Sequence, residues 1–418
     1  MSYKRKKTKI VATLGPAIDS KEMLLKMVAT GVNVFRINFS HADYDDVKKR
    51  VRYIREINEE HGYNAAILAD LQGPKLRVGV MKDNVVVAPG DEIVFATGTR
   101  FEGTKERVYM TYDRFPKDTK AGEQILLDDG KLLFEVVSTN QKDEVVAKVI
   151  QGGPLKSKKG VNLPNTNISQ PALTEKDKKD ALFAIGQEVD WIALSFVRSP
   201  EDLMELEAII SKHSNYKIPI IAKIEKPEAV ENIDKIVAYC DGLMVARGDL
   251  GVEIPAHEVP LIQKQLVLKA KSARIPVIIA TQMMESMITS LTPTRAEVND
   301  VANSVMDGAD AVMLSGETSV GQYPVQVIQK MSDIIKSVET SDLIHVPQKH
   351  PHIKTKRYIT KSICYHAANM ANEINARGIT TLTNSGYTAF QISAWRPKAH
   401  ILVFSSNKRI ISRLNLLW

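Results

Sequence analysis

Eight short apolar segments recur along the chain, and most of them are followed at once by polar or charged residues. Segments with helical patterning separate several of them, notably 199–213, 257–274 and 322–338. Repeated strand and helix units are typical of parallel sheets covered by helices. Because eight units suffice to close a ring, the pattern predicts an α/β fold, a (β/α)₈ TIM barrel, in preference to an open doubly wound sheet. The predicted strands are 8–14, 32–39, 65–71, 191–197, 218–225, 242–247, 276–281 and 309–314.

Polar side chains stand at the carboxyl ends of these predicted strands. A barrel of this kind carries its active site at that face. Residues two apart in a strand project from the same side, so Lys223 and Glu225 are expected to point the same way. The set at the predicted mouth is Arg36, Asn38, Asp70, Ser195, Lys223, Glu225, Asp249, Thr281, Ser315 and Glu317.

Glu225 and Asp249 form an acidic pair at the ends of neighbouring predicted strands. Mg²⁺ takes one or two carboxylates, keeps water and fills its shell with substrate oxygens. Lys223 adds a positive charge, and a cation beside a divalent metal suits a substrate with several negative charges. The alternative is a structural ion pair between Lys223 and Glu225, but the convergence of polar residues on one end of the strands favours a functional site.

An inserted domain interrupts the barrel pattern, so that residues 1–73 and 170–342 are predicted to form the barrel and 74–169 a small β-barrel domain. Turn residues separate its alternating segments, as in small β domains. Placed after the third strand, it would lie over the mouth and close as a lid that excludes water. On composition alone, its basic exit at 156–160 is typical of a solvated loop. The predicted strands are 84–88, 92–96, 124–127, 132–138 and 144–150.

Residues 343–418 are predicted to form a C-terminal α/β domain, and a polar linker is expected at 341–356, where this domain begins. Its helices are expected at 359–375 and from 408 onward, and its strands at 379–383 and 400–405. The hydroxyl-rich turn 383–388 suits either a phosphate or a simple helix cap. With only two strands and a final apolar helix, the domain is expected to be incomplete.

The composition narrows the class of protein. Lysine and arginine exceed acidic residues by 56 to 49, a net charge of +7, which suits an anionic ligand but is too mild to indicate nucleic acid. Two distant cysteines indicate neither a disulfide framework nor a zinc cluster, so a reducing cytoplasm is expected. No apolar run approaches the length of a membrane span, so no membrane partner is expected.

With these motifs identified, the chain resembles the pyruvate kinase family over nearly its whole length. Each matching stretch is moderately specific, but the set in this order, with a β insertion after the third strand, is very specific. The stretches are Thr13–Pro16, Arg36–His41, Asp70–Arg77, Lys159–Pro164, Ile221–Glu225, Met244–Gly251, Ala280–Met283 and Met313–Thr318.

The resemblance implies a phosphotransferase that moves the phosphoryl group of phosphoenolpyruvate to ADP, giving pyruvate and ATP in the last step of glycolysis. It also implies a homotetramer. By the same resemblance, Glu225 and Asp249 are the Mg²⁺ ligands, Lys223 stabilises the transferring phosphoryl group, and Arg36 contacts phosphate. Such chemistry needs positioning and charge neutralisation with little covalent help from the protein.

Further contacts are implied only by the resemblance. Gly248, Asp249 and Thr281 would surround the enolpyruvate part of the substrate, with Thr281 or water as the proton donor to the enolate. Arg77 and Lys159 would contact the nucleotide, which replaces the solvated-loop interpretation of Lys159. The sequence contains no Walker A pattern, so the phosphates would be held by metal and side chains.

One position departs from the common family pattern. Many members depend on K⁺. The resemblance implies that the ion would bind here at Asn38, Ser40, Asp70 and the backbone carbonyl of Leu71. Those members carry Glu where this sequence has Lys75. A fixed positive charge opposes a second cation nearby. We therefore expect Lys75 to pair with Asp70 and K⁺ to be dispensable, with Mg²⁺ still required.

Two other functions remain compatible with the sequence. A Mg²⁺-dependent 2-oxo-acid aldolase on a barrel would also use Glu and Asp at strand ends, but it explains neither the lid nor Lys223. A catalytically silent metabolite-binding subunit would be expected to have a broken site, whereas every residue that the resemblance assigns to catalysis is present in this chain.

Overall fold

The computed structural model describes residues 6–341, 343–344, 346, 350–351 and 356–418. It begins with two β/α units and a third strand. Ser20 and Asp43 start the two helices, because each side chain accepts hydrogen bonds from backbone N–H groups of the first turn. The elements are β1 (Lys9–Thr13), α1 (Lys21–Thr30), β2 (Val34–Asn38), α2 (Tyr44–His61) and β3 (Ala66–Asp70), with a 3₁₀ turn at Pro16–Ile18.

The inserted β domain follows β3 and has its own apolar core. Its main sheet has the strand order β11-β7-β8-β9-β5-β6, and β4 pairs with β10. The predicted β character of the insertion is confirmed, and the predicted strand at 84–88 contains β4. The strands β6, β10 and β11 have only two or three residues each, which is too little alternation for prediction. The elements are β4 (Val86–Val87), β5 (Glu92–Ala96), β6 (Arg107–Tyr109), α3 (Phe115–Asp118), β7 (Gln124–Leu127), β8 (Leu132–Thr139), β9 (Glu144–Gln151), β10 (Gly153–Pro154) and β11 (Val161–Asn162).

The chain then returns to the barrel pattern. The elements are α4 (Glu175–Gly186), β12 (Trp191–Leu194), α5 (Pro200–His213), β13 (Ile220–Ile224), α6 (Pro227–Glu231), α7 (Ile233–Ile236), β14 (Gly242–Ala246), α8 (Arg247–Glu253), α9 (Val259–Ala273), β15 (Val277–Ala280), α10 (Arg295–Met306), β16 (Ala311–Leu314), α11 (Gly316–Ser319) and α12 (Pro324–Glu339), with a 3₁₀ turn at Glu285–Ile288. Arg247, predicted as a strand end, begins α8 instead.

Eight parallel strands close into a barrel in the order β1-β2-β3-β12-β13-β14-β15-β16, with β16 pairing back to β1. This confirms the predicted barrel. The inward-facing residues form one apolar cluster and the outward-facing ones pack under the helices. Because strand side chains alternate, every second residue faces the barrel interior, and the last of these residues in each strand faces the mouth. The row of β1 runs from Val11 to Thr13, that of β3 from Leu68 to Asp70, and that of β13 from Ile221 to Lys223.

The C-terminal segment forms the expected α/β unit. Its elements are α13 (Tyr358–Glu373), β17 (Gly378–Leu382), α14 (Tyr387–Ser393), β18 (His400–Phe404) and α15 (Lys408–Leu414), and β17 pairs with β18 in parallel. The predicted linker at 341–356 lies largely outside the described residues. In the described part of the chain, no helix combines the length and the apolar character needed to cross a membrane.

This C-terminal unit docks at the amino-terminal end of the barrel, opposite the mouth. Leu416 is fully buried and joins the cluster inside the barrel. The indole N–H of Trp191, at the start of β12, donates to the carbonyl of Arg413 at 3.1 Å. The docking contact therefore reaches the barrel interior without entering the mouth.

A cluster of buried charges also stabilises the contact between the barrel and the C-terminal unit. The carboxylate of Asp310, just before β16, is 2.7 Å from Lys271 Nζ and 2.7 Å from an Arg396 nitrogen. It also accepts the backbone N–H of Val277 at 2.9 Å. Burial alone would raise the pKa of Asp310, but Arg396 and Lys271 outweigh it and lower the pKa to about 2.

Acid should weaken this junction. A carboxyl group with a lowered folded pKa stabilises the fold above its unfolded pKa and loses that effect as pH falls through the folded pKa. Between about pH 5 and pH 2, we expect the native protein to lose about 2 kcal/mol more unfolding free energy than Asp310→Asn. Urea titrations at several pH values measure this. Asp83→Asn, an exposed control, should follow the native curve; an identical acid response in Asp310→Asn would contradict the expectation.

Candidate active site

Lys223 lies in the barrel mouth near the ends of β3, β12 and β13. Its Nζ is 3.1 Å from Asp70 Oδ1 and 3.0 Å from Glu225 Oε1, and it donates to Ser195 Oγ at 2.6 Å. The Ser195 hydroxyl in turn donates to the carbonyl of Leu71 at 2.7 Å. These contacts fix an ammonium group between two carboxylates at the barrel mouth.

The charge state of Lys223 follows from this setting. Burial alone would lower its pKa, but Asp70 and Glu225 outweigh burial and raise the pKa above its usual value. Burial would likewise raise the pKa of Asp70, yet Lys223 and Arg36 bring that pKa below its usual value. The site thus holds a permanently charged ammonium beside an ionised carboxylate.

Glu225 and Asp249 satisfy the simplest requirements of a Mg²⁺ site. Burial raises the pKa of Glu225, and the nearby Asp249 carboxylate raises it further, while Lys223 opposes them. Two acidic groups that repel one another in a buried mouth are stabilised by a shared divalent cation. The described residues contain no group of three or more His, Cys, Asp or Glu placed to hold a metal. Two carboxylates that leave coordination positions for substrate and water therefore fit Mg²⁺ better than a closed protein cage.

Arg36 is positioned by the neighbouring strand ends. Its Nε is 2.6 Å from Asp70 Oδ2, and its Nη1 donates to Thr13 Oγ1 at 3.1 Å. The Thr13 hydroxyl is itself anchored, because it donates to the carbonyl of Leu314 at 2.8 Å. The guanidinium group is therefore held at the mouth, with its remaining N–H groups available for an oxyanion.

Thr281 occupies a strained backbone position directly after β15. Its φ is 72° and that of Gln282 is 53°, and a β-branched residue rarely adopts the left-handed region. The Thr281 hydroxyl accepts the Gly248 N–H at 2.7 Å and donates to the carbonyl of Ala280 at 2.6 Å. A Cβ on Gly248 would lie 3.2 Å from that hydroxyl oxygen, so glycine permits the close approach. The structure thus brings Thr281 to the start of α8, next to Asp249.

The expected ion pair between Lys75 and Asp70 is wrong. Asp70 is buried and pairs with Arg36 and Lys223, whereas Lys75 is exposed and makes no ion pair with a carboxylate in the described part of the chain. The hinge after β3 turns Lys75 toward the inserted domain, where its Cε lies 3.7 Å from the position of a Cβ on Gly160. Local sequence spacing did not reveal that two other cations already reach Asp70.

The remaining predicted monovalent-cation residues lie at neighbouring strand ends. Asn38 is in register with Asp70 across the β2–β3 pair. Its Oδ1 accepts the N–H of Ser40 at 3.2 Å, and the carbonyl of Leu71 accepts the hydroxyl of Ser195. The oxygens of Asn38, Asp70 and Leu71 therefore already have partners within the protein.

The inserted domain touches the mouth through a contact that the sequence did not predict. The Asn162 side-chain amide donates to Glu253 Oε1 at 2.8 Å, and Lys226 Nζ reaches the same oxygen at 2.7 Å. Glu253 follows Asp249 by four residues, so both lie on one side of the short helix α8. That spacing, together with a lysine directly after Glu225, is the signal that could have indicated the contact.

A cavity lies between the inserted domain and the mouth. Lys75, Gly160 and Asn162 line one side of it, and Phe196 and Asp249 lie on the other. The space is bounded by both the hinge and the predicted metal carboxylate. Its volume of about 30 Å³ is too small for a substrate, so a second substrate would fit there only after the inserted domain moves away from the mouth.

Arg77 and Lys159 are predicted to contact a nucleotide. They lie on the two segments that connect the inserted domain to the barrel. Arg77 bridges to Gly160, and its Nη1 donates to the carbonyl of Lys158 at 2.9 Å. Lys159 Nζ is 2.8 Å from Asp128 and lowers the pKa of that carboxyl. Both cations are close to the hinge, but each is held by a partner within the inserted domain.

Glu317, another residue of the predicted mouth, links the loops after β15 and β16. Its carboxylate accepts the N–H groups of Met284 at 3.1 Å and of Ser315 at 2.7 Å. Burial raises its pKa. Glu317 therefore has a structural role, because it holds these two loops together.

Taken together, the fold and the mouth define a (β/α)₈-barrel enzyme whose site combines two fixed cations with a pair of carboxylates. Comparison with known proteins identifies the family. The pyruvate kinase barrel-domain model matches residues 5–328, and the pyruvate kinase alpha/beta-domain model matches 361–418. The chain belongs to the pyruvate kinase family.

Individual relatives agree over nearly the whole chain. A pyruvate kinase of Corynebacterium glutamicum is 47% identical over 417 residues, covering 99% of this chain and 86% of that protein. One from Geobacillus stearothermophilus is 44% identical over 420 residues, covering 99% and 71%. The crystal structure of a Cryptosporidium parvum pyruvate kinase aligns with a TM-score of 0.91 at 35% identity, covering 99% of this chain and 86% of that one. The aldolase and silent-subunit alternatives receive no support.

Proposed function

We propose that this enzyme transfers the phosphoryl group of phosphoenolpyruvate to ADP, forming pyruvate and ATP. The observation that carries the proposal is the fixed Lys223 ammonium between Asp70 and Glu225, at a mouth that also holds Arg36 and Asp249. Phosphoryl transfer requires cations placed where charge develops, and that is what this mouth supplies.

Members of the pyruvate kinase family generally depend on Mg²⁺, and Glu225 and Asp249 are the residues that would hold it here. When bound, the ion would neutralise phosphoryl and carboxylate oxygens of the substrates. Lys223 would donate to the phosphoryl oxygens during transfer, and Arg36 would orient the phosphate. Both side chains are held before substrate arrives, so little reorganisation is needed.

The rest of the substrate contacts are proposed on position. Gly248 and Thr281 lie beside Asp249 and would bound the enolpyruvate part. Since the Thr281 hydroxyl already bonds within the protein, it would move a proton to the enolate only if substrate displaces one of its partners. Arg77 and Lys159 would bind nucleotide phosphates if the inserted domain closes over the mouth.

The domain limits and the assembly also stand as proposals. The barrel would comprise 1–73 and 170–342, the lid 74–169 and the C-terminal domain 343–418. Family membership supports a homotetramer as the working assembly. Both cysteines are free and buried, which supports the prediction of a reducing compartment.

A coupled assay tests the proposed reaction. Pyruvate formed from phosphoenolpyruvate and ADP is reduced by lactate dehydrogenase, and NADH absorbance is followed. Activity that requires ADP and Mg²⁺ supports the proposal. Formation of pyruvate from an aldol substrate, or the absence of turnover by a folded protein, would oppose it.

We also propose that the enzyme does not need K⁺. The support is now the pairing of Asp70 with both Arg36 and Lys223, because a carboxylate balanced by two cations has little need of a third. Lys75 adds further positive charge at the hinge. We expect the rate in tetramethylammonium buffer to change by less than about tenfold, roughly 1.4 kcal/mol, when KCl is added.

The matched variant is Lys75→Glu, which replaces the hinge cation with a carboxylate. Because the pairs of Asp70 with Arg36 and Lys223 are untouched, the variant should remain independent of K⁺ and keep its Mg²⁺ requirement. A strong K⁺ dependence in this variant would make the charge of Lys75, and not the pairing of Asp70, the cause of K⁺ independence. Lys82→Glu, an exposed charge reversal elsewhere in the inserted domain, serves as the control. A native rate that rises more than about tenfold with K⁺ would show that the monovalent site is intact.

A further inference from the structure

Two histidine side chains face each other at the C-terminal unit, outside the barrel mouth. His350 comes from the segment that leads into this unit, and His366 lies in the middle of α13. Their Nε2 atoms are 3.3 Å apart, and their ring centroids are 5.2 Å apart with the ring planes inclined by 57°. Both residues are exposed, so an ion in solution can reach the pair.

The tautomer of His350 is set by the neighbouring backbone. His350 Nδ1 lies 3.0 Å from the carbonyl oxygen of Pro351. Because a carbonyl oxygen can only accept, Nδ1 carries the hydrogen of the neutral ring, and the lone pair is on Nε2, which faces His366. A histidine that binds a metal usually donates its other ring N–H to a backbone carbonyl or a carboxylate. His350 therefore already has the hydrogen-bonding arrangement of a metal ligand.

Aromatic contacts hold the His350 ring in place. The ring packs edge-on against Tyr365, with the centroids 4.8 Å apart, and Tyr365 packs in the same way against Trp395. Tyr358 makes a further ring contact with His350 at 6.2 Å. Since Tyr358, Tyr365 and His366 all belong to α13, the helix positions both imidazole rings. Little side-chain ordering is therefore needed when a ligand binds.

The spacing of the two nitrogens matches that of two ligands on one metal ion. A tetrahedral metal with metal–nitrogen bonds of about 2.0–2.1 Å holds two imidazole nitrogens roughly 3.3–3.4 Å apart. The observed separation of 3.3 Å lies in that range. As a direct hydrogen bond it is long, because N–H donors usually lie roughly 2.7–3.2 Å from an oxygen acceptor. The pair therefore suits a shared metal better than a shared proton.

The imidazole ligands select the class of metal. Zn²⁺, Ni²⁺ and Cu²⁺ bind imidazole well, whereas Mg²⁺ prefers oxygen ligands. Within the described residues, no third His, Cys, Asp or Glu joins the pair. The remaining coordination positions are thus left to water or to an added ligand, and the site is expected to bind metal more weakly than a closed site with four protein ligands.

We infer that His350 and His366 form a site for a divalent transition metal, which links the segment before α13 to that helix. The metal takes the lone pair of each Nε2 atom. The direct contact between the rings requires a hydrogen on His366 Nε2, so metal binding releases this proton to water while Nδ1 of the same ring takes one up. The site is separate from Glu225 and Asp249, and it does not depend on the proposed reaction.

Electron paramagnetic resonance with substoichiometric Cu²⁺ tests the inference on protein saturated with Mg²⁺. Imidazole nitrogens split the copper signal and carboxylate oxygens do not, so the spectrum distinguishes this site from the carboxylates of the mouth. We expect nitrogen splitting in the native protein and its loss when His350→Gln and His366→Gln are combined. A copper signal without nitrogen splitting, or splitting that is unchanged in the double variant, overturns the inference.

The single variants measure the contribution of each ring. His350→Gln and His366→Gln should each weaken the affinity for Zn²⁺, measured by calorimetry in excess Mg²⁺, by at least about tenfold, which is about 1.4 kcal/mol. His213→Gln, which replaces an exposed histidine at the end of α5, is the control and should leave the affinity unchanged. An equal loss in the control would overturn the inference. So would equal affinity in the native protein and both single variants, each shown folded by circular dichroism.

Discussion

Replacement of Lys223 by methionine is expected to lower kcat by at least about 100-fold while leaving substrate affinity nearly unchanged. The ammonium group is fixed by Asp70, Glu225 and Ser195 before the substrate arrives. A preorganised donor acts mainly on charge that develops in the transition state, so its loss affects the chemical step more than binding. Steady-state kinetics with both substrates varied separate kcat from KM.

Lys271→Met is the matched control for this variant. Lys271 is also a buried lysine bonded to a carboxylate, but it lies at the opposite end of the barrel beside Asp310. It should reduce the unfolding free energy by about 1.5–3 kcal/mol, through the lost charged hydrogen bond, without lowering kcat. Normal kcat in Lys223→Met would reduce that residue to a structural ion-pair partner. Equal losses of kcat in both variants would point to general destabilisation.

Asp249→Asn is expected to raise the Mg²⁺ concentration for half-maximal activity by at least about tenfold and to lower kcat/KM by about 100-fold. The amide keeps the size of the side chain but removes one of the two charges proposed to hold the ion. Activity measured across a Mg²⁺ series tests both expectations. Direct titration with Mn²⁺, followed by electron paramagnetic resonance, tests ion binding without catalysis.

Asp129→Asn provides the control for general electrostatics. Asp129 belongs to the inserted domain and lines the same cavity as Asp249. If Asp249 binds the ion directly, the Asp129 variant should keep a nearly native Mg²⁺ dependence. An unchanged Mg²⁺ requirement in Asp249→Asn would contradict the assignment. Equal effects in both variants would indicate that negative charge near the cavity attracts Mg²⁺ without direct coordination by Asp249.

The barrel and much of its mouth could be predicted because the relevant signals are local. Residues two apart in a strand face the same side, so the inward-facing residues of a strand predict which polar residue at its carboxyl end also faces inward. Ile221 and Lys223 are an example. The same rule brings Arg36 and Asp70 into the mouth, and the register between β2 and β3 then places the two strands side by side. Predicting that these residues reach the mouth therefore requires little knowledge of contacts between residues that are distant in sequence.

The misplaced Lys75 shows where such reasoning fails. Its sequence distance from Asp70 is short, but the hinge redirects the chain, and Asp70 is instead paired through strands that lie far away in sequence. The contact of Asn162 with Glu253 likewise joins residues 91 positions apart. Such pairings depend on how the inserted domain packs against the barrel, which periodicity does not encode.

³¹P nuclear magnetic resonance of phosphoenolpyruvate and ADP, mixed with the purified protein and Mg²⁺, shows directly whether the phosphoryl group passes from one substrate to the other. We expect the phosphoenolpyruvate signal to disappear while the γ-phosphate signal of ATP grows in equal amount, and Lys223→Met to slow both changes equally. Release of inorganic phosphate without ATP, or loss of neither substrate signal with folded native protein, would contradict the assignment of this mouth to phosphoryl transfer between the two substrates.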